Sequence, residues 1–393
     1  MKKLLLASAA SIVAGAAAAE DVPIGIILGF TGPIESLTPM MAESAELALQ
    51  EVNESGNFLE GHTLVPVRAD STCIDSAAAT AAAERLITDE GIVAIMGADC
   101  SGVTGAILSN VAVPNGIPMV SPSATSPALS TAEDNGLFFR TAPSDARQGA
   151  VIANILMDRD IEEVAVTYTN NDYGKGLADS FQASYEEMGG TVTLSAPHED
   201  GKADYSAEVG ALASAGGEAL AVFGYSDQGG KGIIQSSLDT GAFDTFVMGD
   251  GMYGDALLAD LGQFMEGSFG AVPWSQGEGT EAFSEITAAA GVNGESSFTR
   301  ESYDAAALIA LAMMAGGEAT SQAVADNLMD VANAPGEEIL PGELGRALEI
   351  LAEGGEVDYV GASNVELIGP GEAAGTYREY NVTDGDYETV QFR

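Results

Sequence analysis

Short apolar runs recur along the chain, each followed by a longer stretch in which apolar and polar positions mix. Pro23–Leu28, Thr63–Ala69, Ile92–Met96 and Ile117–Val120 are the earliest such runs. A short continuous apolar run predicts a strand buried on both faces of a parallel sheet. The stretches between them, Met40–Asn53, Ser76–Asp89 and Val103–Val113, predict helices, the last ended by Pro114 and Gly116. Leu137–Arg140 predicts a further strand running into Thr141–Asp145, an expected linker. The alternation then restarts. Helices Ala146–Met157, Lys175–Met188 and Tyr205–Ala213, and one ending near Leu238, alternate with strands Glu163–Tyr168, Thr191–Ser195, Ala219–Phe223 and Thr245–Met248. This β-α-β-α pattern predicts two α/β lobes, each a parallel sheet wrapped by helices.

Phe269–Trp274 reads as a second crossing between the lobes. Helices expected at Glu281–Ala290, Tyr303–Met314, Gln322–Val331 and Glu343–Ala352 have no strands between them and are assigned to the first lobe. Val357–Ser363 reads as a third crossing. The tail, Gly375–Asn381 and Tyr387–Phe392 around Thr383-Asp384-Gly385-Asp386, predicts a hairpin. The expected division is residues 20–140 plus 273–358 for the first lobe and 141–272 plus 359–393 for the second.

Length agrees with two domains, since 393 residues exceed what one core usually holds. Met1–Ala19 reads as a signal peptide: Lys2-Lys3, an apolar Leu4–Ala16, and Ala17-Ala18-Ala19 as the cleavage site. The mature chain is therefore expected in a periplasm, without stable membrane insertion. With 59 Asp and Glu against 14 Lys and Arg, the formal charge of −45 argues against a nucleic acid partner, whose phosphates it would repel. Such acidity keeps an exported protein soluble and costs less where salt screens it. The two cysteines, Cys73 and Cys100, point to a disulfide in an exported protein, with two unpaired thiols as the alternative. His62 and His198 lie far apart without ligand spacing, so no metal is expected.

The chemistry concentrates at strand ends. Two hydroxyl-rich turns, Gly97–Gly102 and Ser121–Pro127, follow adjacent strands of the first lobe and carry Ser101, Ser123 and Thr125. Open α/β sheets place ligands at that edge. The turns hold no Lys, Arg or His, so they offer an anion neutral donors: hydroxyls and backbone N–H groups. Such residues are also ordinary helix caps. The second lobe supplies Tyr173, Tyr225 and Asp250, each just after a strand. A carboxylate flanked by aromatic faces suits an ammonium group, although loop packing and turn formation would use the same residues. An anion site on one lobe and a cation site on the other suit a zwitterion, an α-amino acid. No G-x-S-x-G elbow, H-E-x-x-H or P-loop is present, and an enzyme is not expected.

The sequence resembles the substrate-binding proteins of branched-chain amino acid ABC transporters, the Leu/Ile/Val-binding type with a type I periplasmic-binding fold. The resemblance runs through IGIILGFTGP, the Cys73 and Cys100 pair, DCSGVT, SPSATSPAL, LFFRTAPSDARQG, NNDYGKG, FGYSDQGG, VMGDGMY and SSFTRESYDAA, in that order. It implies two Rossmann-like lobes joined by a three-strand hinge. By position, it implies that Ser101, Ser123 and Thr125 bind a ligand carboxylate, that Tyr173 and Tyr225 close over the ligand, and that Asp250 takes the ammonium. Phe298 and Leu37 match positions lining the side-chain pocket. No cofactor is implied; the implied partners are an amino acid and an ABC permease, and the implied state is a monomer. A second reading is a ligand-sensing module of a signalling system on the same fold.

Overall fold

The computed structural model describes residues 20–393; the expected signal peptide, Met1–Ala19, lies outside the described residues. Ile24, Ile26, Ile27 and Leu28 are fully buried, so strand Asp21–Leu28 has cover on both faces and sits inside its sheet. It pairs in parallel with Thr63–Asp70 on one side and Ala94–Gly97 on the other. Met119–Ser121 and Phe138–Arg140 continue the sheet in parallel beyond Ala94–Gly97. Chain order therefore reverses between Asp21–Leu28 and Ala94–Gly97.

The second sheet repeats this plan. Thr191–His198, Glu163–Thr169, Ala219–Phe223, Phe246–Met248 and Phe269–Pro273 lie side by side in parallel, and the reversal falls between Glu163–Thr169 and Ala219–Phe223. The expected tail hairpin forms from Tyr377–Thr383 and Asp386–Phe392, and it joins this sheet antiparallel to Phe269–Pro273. Its turn is Asp384-Gly385, with φ of 53° and 82°, the handedness that a tight hairpin needs. Each reversal creates a crevice at the carboxyl ends of the strands.

Helix ends follow local chemistry. Thr38–Ser55 has Pro39 in its first turn and stops at Gly56, whose φ of 68° suits glycine. Ser76–Thr88 is capped by the Asp75 carboxylate, which accepts from the N–H groups of Ala77 and Ala78 at 2.9 and 3.0 Å. Thr299–Gly316 is buried on every side from Thr299 to Met314, packed against Thr38–Ser55 and Ser321–Val331. From Ala305 to Met314 it is apolar all round, the character of a core helix. No single helix among the described residues is long and apolar enough to cross a membrane.

The third crossing is not at Val357–Ser363. Val357–Tyr359 pairs in parallel with Glu337–Ile339, a strand that the sequence pattern hid among helices. The cause is Asp304 in the core helix. Its carboxylate accepts from the Tyr359 hydroxyl at 2.8 Å, the Ala362 and Ser363 N–H groups at 2.7 Å each, and the Ser363 hydroxyl at 2.5 Å. This buried acid retains the segment in the first lobe. Leu367–Ile368 and Glu372–Ala373 then pair onto the edge of the first sheet, the latter beside Arg140. Residues 359–373, expected in the second lobe, thus belong to the first, and the crossing falls between Ala373 and Tyr377. There it pairs with the second crossing: Trp274 N–H donates to Thr376 O at 2.9 Å and the Thr376 hydroxyl donates to Trp274 O at 2.5 Å.

Candidate functional site

The carboxyl-end turns of the two sheets line one shared, narrow cavity. Ser101, Cys100, Asp99 and Ser123 line it from the first lobe's turns, and Tyr173, Tyr225, Asp250 and Gly251 from the second. Ile34, Leu37, Met41 and Phe298 make its apolar wall. Seven of the eight expected site residues meet here; Thr125 is not on the wall.

In the first lobe, Asp99 ties the turns together. Buried at the end of Ala94–Gly97, it accepts from Gly29 N–H at 2.7 Å and from the Ser71 hydroxyl at 2.9 Å. Burial raises its pKa, against the pull of those donors. Sequence reasoning passed over Asp99, because its partners come from strands distant in the chain. The Cys73–Cys100 disulfide links the same two turns, with Cα atoms 5.1 Å apart. Ser123 donates through its hydroxyl to Asp99 O at 3.1 Å, and the Ser101 hydroxyl oxygen accepts from Ser126 N–H at 3.0 Å. That bond leaves the Ser101 hydroxyl proton for another acceptor. Arg140, fully buried, braces the second turn by donating to Ala124 O at 2.8 Å and Ser126 O at 2.9 Å. Thr125 is buried in that turn; its carbonyl accepts from Asp145 N–H at 2.9 Å, and its hydroxyl has no partner.

In the second lobe, Tyr173 lies in the first turn of helix Asp172–Glu187, which Asn171 caps through Gly174 N–H. Its hydroxyl donates to Asp250 Oδ1 at 2.7 Å and accepts from Gly251 N–H at 3.0 Å. The Tyr225 ring stacks on it with centroids 5.2 Å apart, and the Tyr225 hydroxyl accepts from Asn171 at 3.1 Å. Asp250 opens a short helical turn directly after Phe246–Met248 and is 2% exposed. Burial pushes its pKa up to about 6, despite the hydrogen bonds from Tyr173 and Gly251. A positive group beside it would restore the charged form.

The apolar wall comes from elements that the strand-end pattern does not cover. Leu37 immediately precedes helix Thr38–Ser55, and Met41 lies in its first turns. Phe298 precedes the core helix with φ of 60°, a left-handed position that costs about 1–2 kcal/mol for a residue with a Cβ. Across the mouth, Ser36 donates through its N–H and hydroxyl to the two Asp227 carboxylate oxygens, both at 2.8 Å, and Asp227 N–H donates to Pro33 O at 3.0 Å. These bonds join a first-lobe loop to a second-lobe turn.

Two doubly wound lobes around an enclosed, part polar and part apolar cavity define a two-lobed receptor of the type I periplasmic-binding fold. The chain belongs to the periplasmic binding protein family, whose model matches residues 21–346. It is 31% identical over 95% of its length, and 89% of the relative's, to the chemotactic signal transduction system substrate-binding protein BasB of Halobacterium salinarum. It is also 31% identical to the Leu/Ile/Val-binding protein homolog 1 of Brucella melitensis, over 83% of this chain and 87% of that one. The crystal structure of the branched-chain amino acid transporter substrate-binding protein LivJ of Streptococcus pneumoniae, in complex with isoleucine, superposes with a TM-score of 0.77 at 22% identity, covering 94% of this chain and 99% of that one. Family and fold are those of ligand receptors rather than enzymes.

Proposed function

We propose that the protein is a periplasmic receptor that binds a branched-chain aliphatic amino acid between its lobes and delivers it to an ABC permease. One observation carries this reading: a buried carboxylate on one lobe and neutral hydroxyl donors on the other share a single cavity with an apolar end. Asp250, flanked by Tyr173 and Tyr225, takes the ammonium. Ser101, Ser123 and the backbone of the 121–127 turn take the carboxylate. Ile34, Leu37, Met41 and Phe298 receive the side chain, and no charged group on that wall would meet a polar one. The chain is exported by its Met1–Ala19 signal, works as a monomer, and closes by hinge motion about its three crossings. The names of the Brucella and Streptococcus proteins support the ligand class.

A thermal-shift screen of the twenty common amino acids, with amides and GABA, tests this. A ligand that binds only the folded state raises its melting temperature. Leucine, isoleucine or valine should give the largest shifts; a screen in which none of the three stabilises the protein would reject the reading. The similarity to BasB over almost the whole chain supports a second reading, in which the loaded receptor signals to a chemotaxis transducer. Loaded protein that stimulates no permease but binds a transducer ectodomain would favour it.

A further inference from the structure

Behind the cavity, where the first crossing enters the second lobe, several buried oxygens stand together without partners. Ser144 caps helix Asp145–Asp158, and Asp145, the first residue of that helix, is completely buried. Neither carboxylate oxygen of Asp145 makes a hydrogen bond of good geometry, and the Thr125 hydroxyl beside it, otherwise unpartnered, is a neutral donor that lowers its pKa only in part. One turn along the helix, buried Gln148 donates from its NH₂ group to Ala271 O at 2.9 Å and also supports Asp250 as a neutral donor, while its Oε1 has no partner. Arg140 is the neighbouring cation, but its terminal nitrogens are committed to Ala124 O, Ser126 O, Ser130 and Glu372. Asp145 takes part in no ion pair among the described residues. Tyr377, at the third crossing, donates to Ser144 O at 3.3 Å and so is not a donor to Asp145.

A buried carboxylate without a partner is costly in either protonation state. Two buried carboxylates, Asp145 and Asp250, thus stand near each other with neutral donors about them and no ion pair to either among the described residues. A primary ammonium brings three N–H donors and the positive charge that this set lacks. Resting on the amino-acid reading above, we propose that Asp145 is a second counter-charge for the ligand ammonium, and that the ammonium enters in exchange for a proton shared by Asp145 and Asp250. The balance is one for one. The empty pair carries one proton and one negative charge. The loaded pair carries two negative charges and one ammonium, and the displaced proton leaves to solvent. Tyr173, Tyr377 and Arg140 are the other titratable or charged groups facing the pair, and burial raises the pKa of both tyrosines, which stay protonated throughout. Burial and mutual repulsion both raise the pKa of Asp145, and Asp250 is raised to about 6, which agrees with a proton held in the empty site near neutral pH.

Calorimetry of the wild-type protein with leucine, in two buffers of different ionisation enthalpy, counts the protons released. Release approaching one per ligand is expected at pH about 6, with affinity rising about tenfold per pH unit on the acid side and levelling above the titration of the empty pair. Asp145→Asn should abolish the release and weaken leucine binding about tenfold to a hundredfold. It should leave the deaminated analogue, 4-methylpentanoate, bound as well as before or better. No proton release from the wild type at any pH between about 5 and about 8 overturns the inference, whether or not the variant folds. So does an Asp145→Asn protein that binds leucine as the wild type does. If Asp250→Asn loses leucine in either case, the amino-acid reading stands and only the role of Asp145 falls. If neither variant loses affinity, both fall.

Discussion

Asp250 and Thr125 show how differently two residues of one turn-built site should respond to substitution. Asp250 is buried, with one oxygen held by Tyr173, so its remaining capacity points to a single cationic group. Asp250→Asn keeps the shape and removes the charge. Calorimetry with leucine should show a loss of about 2–5 kcal/mol, the range for truncating one partner of a buried charge pair. Thr125→Ala deletes a hydroxyl set back from the cavity wall, while Ser101, Ser123 and the turn backbone remain, and should cost no more than about 1 kcal/mol. Unchanged affinity in Asp250→Asn would remove the ammonium from this end of the cavity. A separate effect comes from His198, buried against Thr167, whose hydroxyl lies 2.9 Å from Nδ1. Burial lowers its pKa from the usual 6.5 to about 4. Between these values the unfolded chain holds the extra proton, so stability is complete above about pH 6.5 and falls as pH drops towards 4, by roughly 3 kcal/mol in all. Buried Asp304 and Asp250, raised to about 6, act in the opposite sense, losing stability as pH rises through the same window. Denaturant titration of wild type and His198→Gln at several pH values isolates the histidine: the stability difference between the two should shrink or reverse as pH falls, and a pH-independent difference would refute the shift.

Among the elements, the turn pair after Thr63–Asp70 and Ala94–Gly97 is the best secured. The disulfide spans 27 residues of sequence, and closing a loop of that length stabilises by about 3.5 kcal/mol in the chain-entropy account. Thiol titration of denatured, unreduced protein should find no free cysteine. Mild reduction should lower the melting temperature and weaken ligand binding together, because Cys100 lies on the cavity wall. These turns were legible in the sequence because the strands before them are short apolar runs with hydroxyl residues at their ends. Other features were not legible, for physical reasons that can be named. Glu337–Ile339 carries two exposed acids and one buried Ile339, too little alternation to reveal a strand. The third crossing was displaced by Asp304, a contact between residues 55 to 59 positions apart that no local pattern announces. Asp145 looked like a linker and helix-start residue, an ordinary place for an acid. Its unusual property, complete burial without an ion pair, exists only once the chain packs around it. Phe298 and Leu37 were placed by resemblance alone, since neither lies at the end of a strand.

At the scale of the molecule, the two sheets share one strand order, and each contributes its reversal to the same cavity. Neither lobe by itself holds both ends of a zwitterion. The liganded protein should therefore be the more compact one, and solution scattering with and without leucine should show a smaller radius of gyration in its presence. An unchanged radius would count against hinge closure. The crossings support such a motion: Trp274 and Thr376 are hydrogen-bonded to each other, so two of the three connections should bend as one ribbon.

The bonds from Ser36 and Pro33 to Asp227 have a kinetic consequence. Most residues around the cavity are buried, Leu37 at 5% and Tyr225 at 4% exposure, so the lobes cover most of a ligand held between them. Escape must wait for the lobes to part, and the residence time of the ligand becomes the waiting time for those three bonds to break together. Asp227→Ala touches neither the cavity nor the ligand. It should nevertheless shorten residence by about tenfold, the equivalent of 1.4 kcal/mol, while stopped-flow entry rates, which begin from the open form, stay close to wild type. An unchanged exit rate in that variant would mean that the timing resides in the ligand contacts themselves. A receptor timed at its rim can hold one affinity for several aliphatic side chains and release them all at the same pace, as a carrier serving one permease with a mixed cargo would need.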